Sequence, residues 1–149
     1  MHIVDWGSLL KVAIAYVLAL PVGWERERHE RSAGLRTYPL VAVSTCAFLV
    51  VATRAFNADI AAESRVMQGL IAGIGFIGAG TIMKLQRQIH GTATAASLLA
   101  TAIIGMAVAY QVYDVAVLLS GLSLFTLRAF TAWRLIREDD LPPRNHESR

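Results

Sequence analysis

Two glutamates alternate with arginines directly after the first apolar stretch of the chain. Glu25 and Glu27 supply the carboxylates of this run. Carboxylates can hold a hydrated Mg²⁺ ion, which keeps most of its waters and needs few protein ligands. We therefore take Glu25 and Glu27 as candidate metal ligands, and the alternative is a solvated run of charges that compensate one another. The residues called the polar mouth from here on are Glu25, Arg26, Glu27, Gly34, Arg36 and Thr37.

Five glycines fall within the twelve residues from Gly69 to Gly80. Gly69 and Gly73 have the spacing that lets a second membrane helix approach closely. The alternative is that the glycines permit a bent or unwound helix whose carbonyl groups line an ion path. A nucleotide-binding loop is excluded because no predicted strand precedes the glycines. The residues assigned to helix packing or to such a pathway are Arg65, Gln68, Gly69, Gly73, Gly75, Gly78, Gly80, Gly91, Thr94, Ser97 and Thr101.

Hydroxyl side chains mark the fourth apolar stretch. Ser97 and Thr101 are four residues apart, so they lie on one face of a helix. They can bond to the preceding turn or across a helix pair, or they can form part of a polar seam. The chain lacks the His and Cys spacings of zinc sites and any Ser-His-Asp pattern, and its one cysteine, Cys46, cannot form a disulfide within the chain. We therefore expect no catalytic residues and no enzymatic activity.

The composition of the 149 residues argues against a water-soluble fold. Hydrophobic residues make up 55% of the chain and charged residues 17%, and the mean hydropathy is +0.49. Residues 37–53, 66–83 and 88–113 contain no Asp, Glu, Lys or Arg, and each approaches the ~20 residues that cross a bilayer as a helix. The net charge of +3 does not indicate nucleic-acid binding, because the basic residues lie between apolar runs rather than on one face of a domain.

The apolar segments predict an all-α, polytopic membrane protein with about five transmembrane helices, in which the second, third and fourth pack together at the centre. The predicted spans are Trp6–Trp24, Tyr38–Thr53, Val66–Met83, Thr94–Val112 and Val115–Trp133. Residues 1–136 are predicted to form the transmembrane domain, and the polar residues 137–149 a disordered cytoplasmic tail. Asp5 and the arginines after the first span do not fit a cleaved signal peptide, so the first segment is expected to remain as a helix.

The distribution of basic residues predicts the orientation in the membrane. With the spans alternating in direction, ten Lys and Arg residues fall on one side and two, Arg54 and Arg65, on the other. Basic connections stay in the cytoplasm, so we expect the N-terminus outside and both the polar mouth and the C-terminus in the cytoplasm. Lys11 and Arg128, which lie inside the first and last spans, are expected to extend to the nearest membrane surface.

A short internal repeat recurs at an offset of 57 residues. The matching positions are Gly23, Gly34 and Thr37 in the first copy and Gly80, Gly91 and Thr94 in the second. Each copy describes a helix end, a connection and the start of the next helix, where the threonine can cap free N–H groups. The repeat predicts two like-oriented helical hairpins, parallel to each other and related by an axis along the membrane normal. The fifth helix stands outside this repeat.

Five motifs, in matching order and spacing, resemble the MgtC/SapB family over about residues 5–115. They are Gly23-Trp-Glu25-Arg26-Glu27, Ala33-Gly34-Leu35-Arg36-Thr37, Arg65-x-x-Gln68, Gly73-Ile-Gly75-Phe-Ile-Gly78-Ala-Gly80 and Gly91-x-x-Thr94-Ala-Ala-Ser97. The resemblance implies a multi-pass protein of the bacterial inner membrane that serves growth in low magnesium. For some members it also implies a role in survival inside macrophages, and the F-type ATP synthase as a partner. Many members continue into a soluble C-terminal domain, and we expect this chain to be a short form without one.

Two functions remain open at this point. The first is a non-enzymatic factor in magnesium homeostasis and adaptation to low Mg²⁺, which forms a homo-oligomer and contacts membrane-protein partners through its glycine-rich faces. The second is a small transporter or channel for Mg²⁺ or another ion. Transporters usually place an ionisable group near the membrane midplane, and the sequence places none convincingly there, which favours the first function. Mg²⁺ is the one ligand that we consider for the protein. We expect the protein to be embedded in the lipid bilayer.

Overall fold

The computed structural model describes residues 5–29, 34–56, 59–85 and 88–139. Five helices and one two-stranded hairpin follow one another along the chain. Their bounds are α1 Trp6–His29, α2 Thr37–Ala55, α3 Ile60–Gly80, β1 Met83–Leu85, β2 Gln88–His90, α4 Thr92–Ala109 and α5 Tyr113–Asp139. Helices α1 to α4 are each long and apolar enough to cross a membrane. The prediction of an all-α, polytopic membrane protein is therefore confirmed.

Helix α3 begins at Ile60, earlier than the predicted span. The carboxylate of Asp59 accepts hydrogen bonds from two backbone N–H groups of the first turn, at 2.9 and 3.4 Å, and so satisfies donors that a helix start leaves free. The first turns carry polar residues such as Glu63, which a search for apolar windows does not include. The helix ends at Gly80, so the predicted end at Met83 is wrong.

Two segments that the apolar pattern left outside the spans have regular structure. The connection between α3 and α4 contains the antiparallel pair β1–β2, in which Met83 pairs with His90 and Lys84 with Ile89. Alternating apolar and polar residues on both sides of a two-residue link are the sequence signal for such a hairpin. Helix α5 continues through Asp139 and so includes residues 137–139. Residues 140–149 of the predicted tail lie outside the described residues.

The starts of α2 and α4 differ from the expected threonine caps. Thr37 is the first residue of α2 and Thr94 lies inside α4, so neither occupies the capping position, and within the described ranges no side chain caps either helix. The carbonyl of Gly34 instead accepts hydrogen bonds from the N–H groups of Thr37 and Tyr38, at 2.9 and 3.1 Å. The predicted capping is wrong because the backbone turn already begins at the glycine that precedes each threonine.

Gly91 connects the hairpin to α4 through a left-handed backbone conformation, with φ of +88°. This conformation favours glycine because other residues meet steric repulsion there. A Cβ at Gly91 would also overlap the carbonyl oxygen of Thr81, just after α3. Gly91 therefore permits both the turn and the close approach of the two helix ends.

Contacts near the helix ends establish the directions of the helices. Lys11 near the start of α1 contacts the last residue of α4, and Tyr38 near the start of α2 contacts Ser97 near the start of α4. Helix α4 is therefore antiparallel to α1 and parallel to α2. Glu63 near the start of α3 meets Tyr110 just after α4, so α3 is also antiparallel to α4. The hairpins α1–α2 and α3–α4 thus have the same orientation, in agreement with the predicted repeat.

Helix α4 lies at the centre of the bundle and contacts each of the other four helices. Its main apolar cluster joins small and branched side chains of four helices, such as Ala19 of α1, Ala42 of α2, Ile104 of α4 and Ala116 of α5. Small residues allow helix backbones to approach closely where lipid supplies no hydrophobic driving force. Helix α3 packs mainly on α4 and lies at the edge of the bundle. The predicted central position of the third helix is therefore wrong, because α1 and α5 take part in the core in its place.

Candidate functional site

The polar mouth lies where α1 ends and α2 and α4 begin, which we name the Arg26 end of the bundle; the opposite end is named the Lys11 end. Glu25 and Arg26 belong to the last turns of α1 and are each 5% exposed. They are buried because α1 packs against α2, α4 and α5. Burial of a charged group is costly unless the group is paired. The partners of these two side chains therefore decide what this end of the protein can do.

Arg26 is joined to α4. Its guanidinium group donates a hydrogen bond to the hydroxyl oxygen of Thr94, which is fully buried near the start of α4. The contact brings together one residue assigned to the polar mouth and one assigned to helix packing. A hydrogen bond with a charged donor is stronger than a neutral one, so Arg26 holds the end of α1 against the start of α4.

Glu25 is joined to α5. Its Oε2 atom accepts a hydrogen bond from Nε of Arg128 at 2.9 Å. The side chain of Glu25 is 6% exposed and that of Arg128 58%, so solvent on the arginine side weakens the pair. The side chain of Arg128 extends toward the Arg26 end of the bundle, where it binds Glu25.

Glu27 closes the link between α1 and α2. Its Oε2 atom accepts a hydrogen bond from the backbone N–H of Leu35 at 3.0 Å. Gly34 is buried beside it, and a Cβ at Gly34 would lie 2.9 Å from the Cβ of Glu27, closer than unstrained contacts allow. Gly34 is therefore required here because the Glu27 side chain passes directly over its backbone.

The two candidate metal ligands bind different protein groups. Glu25 binds the guanidinium of Arg128, and Glu27 binds a backbone N–H. Over residues 5–29, 34–56, 59–85 and 88–139, no group of three or more His, Cys, Asp or Glu side chains is arranged to hold a metal ion. Arg36 is exposed and Thr37 is half-buried at the start of α2. The structure thus places the polar mouth at one end of the bundle. Both of its carboxylates, Glu25 and Glu27, and the guanidinium of Arg26 bind other groups of the protein.

Buried hydroxyl groups connect the starts of α2 and α4. The hydroxyl oxygens of Tyr38 and Ser97 are 2.6 Å apart, and Ser97 Oγ is also 2.8 and 3.0 Å from the carbonyl oxygens of Ala93 and Thr94. Thr101 donates to the carbonyl of Ser97 at 2.8 Å. Ser97 therefore bonds both to its preceding turn and across the helix pair. Tyr38 is not among the site residues assigned from the sequence. The feature that could have identified it is a hydroxyl-bearing aromatic side chain in an otherwise apolar span, because a buried tyrosine hydroxyl usually has a hydrogen-bond partner.

The glycines of α3 differ in their surroundings. Gly78 packs on α4, and a Cβ there would lie 3.5 Å from Ala95. At the other four, an added Cβ would meet no described atom within 4 Å; these are Gly69, Gly73, Gly75 and Gly80. Helix α3 is continuous from its first residue to its last, so the third helix is not unwound, and the alternative of a bent third helix stays a prediction. Gly69 and Gly73 lie on the side of α3 toward α2, with open space between the two helices.

A glycine without an assignment from the sequence forms a close helix contact. Gly105 of α4 faces α2, where an added Cβ would overlap the carbonyl oxygen of Ala42 and lie 3.1 Å from Cβ of Thr45. Any larger residue would push the two helices apart. The signal in the sequence is the run of small residues in the fourth span, which is typical of close helix packing in membranes.

An open groove lies between α2 and α3. Its volume is about 810 Å³, and its walls run from Arg36 to Phe48 on α2 and from Val66 to Ile77 on α3. The walls are almost entirely apolar, and the open glycines Gly69 and Gly73 form part of them. The groove therefore presents a concave apolar surface outside the packed core.

A smaller polar pocket of about 500 Å³ lies at the Lys11 end. Nζ of Lys11 donates a hydrogen bond to the carbonyl oxygen of Ala109 at 3.1 Å, at the helix end where a cation is favoured by the helix dipole. Arg54 at the end of α2 binds both Asp5 and Ser8. The hydrogen bond from the Ser8 hydroxyl is the main cause that lowers the pKa of Asp5 below its ordinary value of 3.8. Lys11 thus extends to the expected end and caps α4.

Tyr110 and Glu63 join α4 to α3 at the same end. The Tyr110 hydroxyl donates to Oε2 of Glu63 at 3.3 Å. Burial is the main cause that raises the pKa of Tyr110 above its ordinary value of 10.0, and the negative charge of Glu63 raises it further. Arg65 and Gln68 are exposed on the first half of α3. Arg65 and Gln68, which the sequence assigned to helix packing or to an ion pathway, therefore lie away from the polar mouth.

Comparison with known proteins gives consistent matches. The chain fits the MgtC family over residues 12–134. It is 31% identical over 129 residues to the putative magnesium transporter YhiD of Escherichia coli (strain K12), covering 82% of this chain and 60% of that protein. It is 33% identical over 139 residues to protein SrpB of Synechococcus elongatus, covering 85% and 76% of the two chains. It is 39% identical over 98 residues to protein MgtC of Brucella abortus, covering 64% and 39%.

The matched region contains the polar mouth, the glycine-rich helix α3 and the hydroxyl groups of α4. The chain spans about 60% of the length of the Escherichia coli relative. No solved structure matches it. The family match covers most of the chain, and it confirms the resemblance seen in the motifs. The chain belongs to the MgtC family.

Proposed function

We propose that this protein is a non-enzymatic membrane protein that supports magnesium homeostasis by binding other membrane proteins. The names of two relatives, putative magnesium transporter YhiD and MgtC, support the connection to magnesium. The position of α3 supports the mode of action and carries the proposal. This helix lies at the edge of the bundle and presents glycines that no described atom covers.

The exposed side of α3 has the composition of a helix-docking surface. We name it the α3 face, and it consists of Gln68, Ala72, Gly75, Phe76 and Ala79, all of which are exposed. In lipid, helices associate through close packing and through hydrogen bonds between helices. Small residues allow a partner helix to approach, and Phe76, which is 82% exposed, offers a side chain for it to pack around. Gln68 can donate and accept hydrogen bonds across such a contact.

The polar mouth is structural in this proposal. Arg26 joins α1 to α4, and Glu25 joins α1 to α5. Glu27 binds the backbone at the start of the next hairpin arm. These contacts hold α3 indirectly, because α3 packs on α4. The mouth therefore supports the helix that presents the α3 face.

In this proposal the protein lies in the bacterial inner membrane with the Arg26 end in the cytoplasm. Basic residues at this end include Arg26, Arg28, Arg36, Lys84 and Arg128, whereas the opposite end has Lys11, Arg54 and Arg65. Basic residues accumulate on the cytoplasmic side. The C-terminus then lies in the cytoplasm and the N-terminus outside. Self-association through the α3 face is part of the same proposal.

Leucine at Gly75 tests the α3 face, and leucine at Gly121 of α5 is the matched control. An added Cβ meets no described atom within 4 Å at either position, so both variants should fold. In cells whose growth at low Mg²⁺ depends on this protein, we expect Gly75→Leu to abolish growth and Gly121→Leu to sustain it, at equal membrane abundance. A photo-crosslinking residue in place of Phe76 should capture a membrane protein, and Gly75→Leu should abolish that crosslink. Growth and crosslinking that survive Gly75→Leu would contradict the proposed surface.

A second function, a small transporter or channel for Mg²⁺ or another ion, is favoured by one observation. Buried polar side chains continue inward from the Arg26 end along α4, at Thr94, Ser97 and Thr101, and Thr45 of α2 is buried with them. Polar groups within a membrane span often mark a transport pathway. This function predicts Mg²⁺ flux through liposomes, altered by Glu25→Gln without a change in assembly.

A further inference from the structure

The groove between α2 and α3 has the length of one membrane leaflet. On α2 it extends from Arg36 to Phe48, which corresponds to about 18 Å at the rise of an α-helix. The hydrocarbon of one leaflet is about 15 Å thick, half of the bilayer core. The α2 wall of the groove therefore begins at the Arg26 end and has about the length of one leaflet.

A positive charge stands at the surface end of this apolar groove. Arg36 is the one charged residue among the described residues that line it. It is exposed, and it forms no ion pair with a described carboxylate; Glu27 binds the N–H of Leu35 instead. The entrance of the groove therefore attracts an anion.

An anion attached to hydrocarbon is the chemistry that fits both features. We propose that the groove binds one anionic phospholipid from the leaflet at the Arg26 end. Its phosphate lies at Arg36, and an acyl chain follows Leu40 and Gly73 toward Phe48. Basic pockets between transmembrane helices bind anionic head groups in this way. This inference goes beyond the proposed function, because it needs no protein partner and concerns the groove rather than the α3 face.

A lipid fits the groove better than the helix of a second copy. A transmembrane helix crosses both leaflets and needs a matching surface along its whole length, whereas the groove ends near Phe48 and Val66. On α2 the groove ends seven residues before the end of the helix at Ala55. Gly69 and Gly73 leave space that a flexible acyl chain can fill.

Lipid retention by the purified full chain tests the charge at the groove entrance. The protein is mixed with equal amounts of phosphatidylglycerol and phosphatidylethanolamine of identical acyl chains, and bound lipid is counted by native mass spectrometry. We expect one phosphatidylglycerol to bind in preference. Arg36→Gln should lower this preference about fivefold, the ratio that corresponds to ~1 kcal/mol for one basic residue at an anionic lipid surface. Arg65→Gln is the matched control and should leave the preference unchanged, because Arg65 does not line the groove.

Ser44→Trp tests the groove itself, because Ser44 lines its wall and an indole would occupy its space. Bound lipid of both types should be lost while the thermal unfolding midpoint is kept. Gly73→Leu fills the same space and replaces this variant if Ser44→Trp does not fold. Three results would overturn the proposal: an unchanged lipid preference in Arg36→Gln, displacement of the lipid by soluble glycerol phosphate at equal concentration, or crosslinking of two Gly73→Cys copies without retained lipid. The second result would show a site for free phosphate, and the third a second copy in the groove.

Discussion

The hydroxyl groups of Tyr38 and Ser97 lie 2.6 Å apart in the buried space between α2 and α4. Ser97 Oγ is also 2.8 Å from the carbonyl oxygen of Ala93 in its own helix. A serine hydroxyl has one hydrogen to donate, so when Ser97 donates to that carbonyl, Tyr38 is the donor in the contact between the helices. The two helices are thereby joined near their first residues, although Tyr38 and Ser97 are 59 positions apart in the chain.

Removal of the Tyr38 hydroxyl should weaken the contact between α2 and α4. We expect Tyr38→Phe to lower the free energy of unfolding by about 1 kcal/mol, because a buried acceptor loses its donor while the ring is retained. A double-mutant cycle with Ser97→Ala, measured by unfolding in detergent, isolates the pairwise energy. Strictly additive effects of the two substitutions would show that the hydroxyl contact contributes nothing.

Removal of the Thr94 hydroxyl should leave Arg26 with one hydrogen bond fewer in a buried environment. We expect Thr94→Val to lower the free energy of unfolding by about 1–3 kcal/mol, the range for loss of a buried partner of a charged group. Thr94→Ser should restore most of the stability because it retains the hydroxyl. Thr92→Val is the control, since Thr92 is exposed in the same turn of α4. Equal stability of Thr94→Val and Thr92→Val would refute the role assigned to this contact.

A methyl group at Gly105 should separate α2 from α4. Because an added Cβ would overlap the backbone carbonyl of Ala42, the helices must move, and overpacking of this kind costs about 1–3 kcal/mol. The same change at Gly121 meets open space and should be neutral or stabilising by about 0.5–1 kcal/mol, the difference between alanine and glycine inside a helix. Thermal unfolding of both variants decides the point, and a stable Gly105→Ala protein would be inconsistent with the described packing.

The phenol of Tyr110 should titrate above its ordinary pKa of 10.0, mainly because neighbouring groups remove part of its hydration and also because Glu63 is nearby. We expect Glu63→Gln to lower the pKa of Tyr110 and still leave it above 10.0. Since the folded pKa is raised, the associated stability is fully present below pH 10 and is lost as the pH rises through the folded pKa. The difference in phenolate absorbance between wild type and Tyr110→Phe reports this titration. An identical pKa with and without the Glu63 charge would argue against their contact.

The helices could be predicted because long charge-free runs are a strong signal for membrane spans. Their ends could not be predicted from the same signal. Helix α3 starts at Ile60 because the side-chain carboxylate of Asp59 binds free N–H groups, and its polar first turns lie outside the apolar pattern. The central position of α4 was predicted, but the position of α3 at the edge of the bundle was not, because apolar length does not show which neighbours a helix contacts.

The polar mouth could be predicted as a cluster but its partners could not. Short spacing along one helix brings Glu25, Arg26 and Glu27 together, which the sequence shows directly. The partner Thr94 is 68 residues from Arg26, and Arg128 is 103 residues from Glu25. Such contacts depend on helix packing, which local spacing does not encode. A cluster that resembled a metal site in the sequence thus forms links between helices in the structure.

Magnesium flux is the most direct test of a binding role against a transport role. The purified full chain and its Glu25→Gln variant are reconstituted into liposomes that contain a trapped Mg²⁺ indicator, and folding is checked by size exclusion and thermal unfolding. We predict that Mg²⁺ enters no faster than into protein-free liposomes with either protein. Entry that requires the wild-type protein and changes with Glu25→Gln would contradict the proposed function and identify the polar mouth as part of an ion pathway.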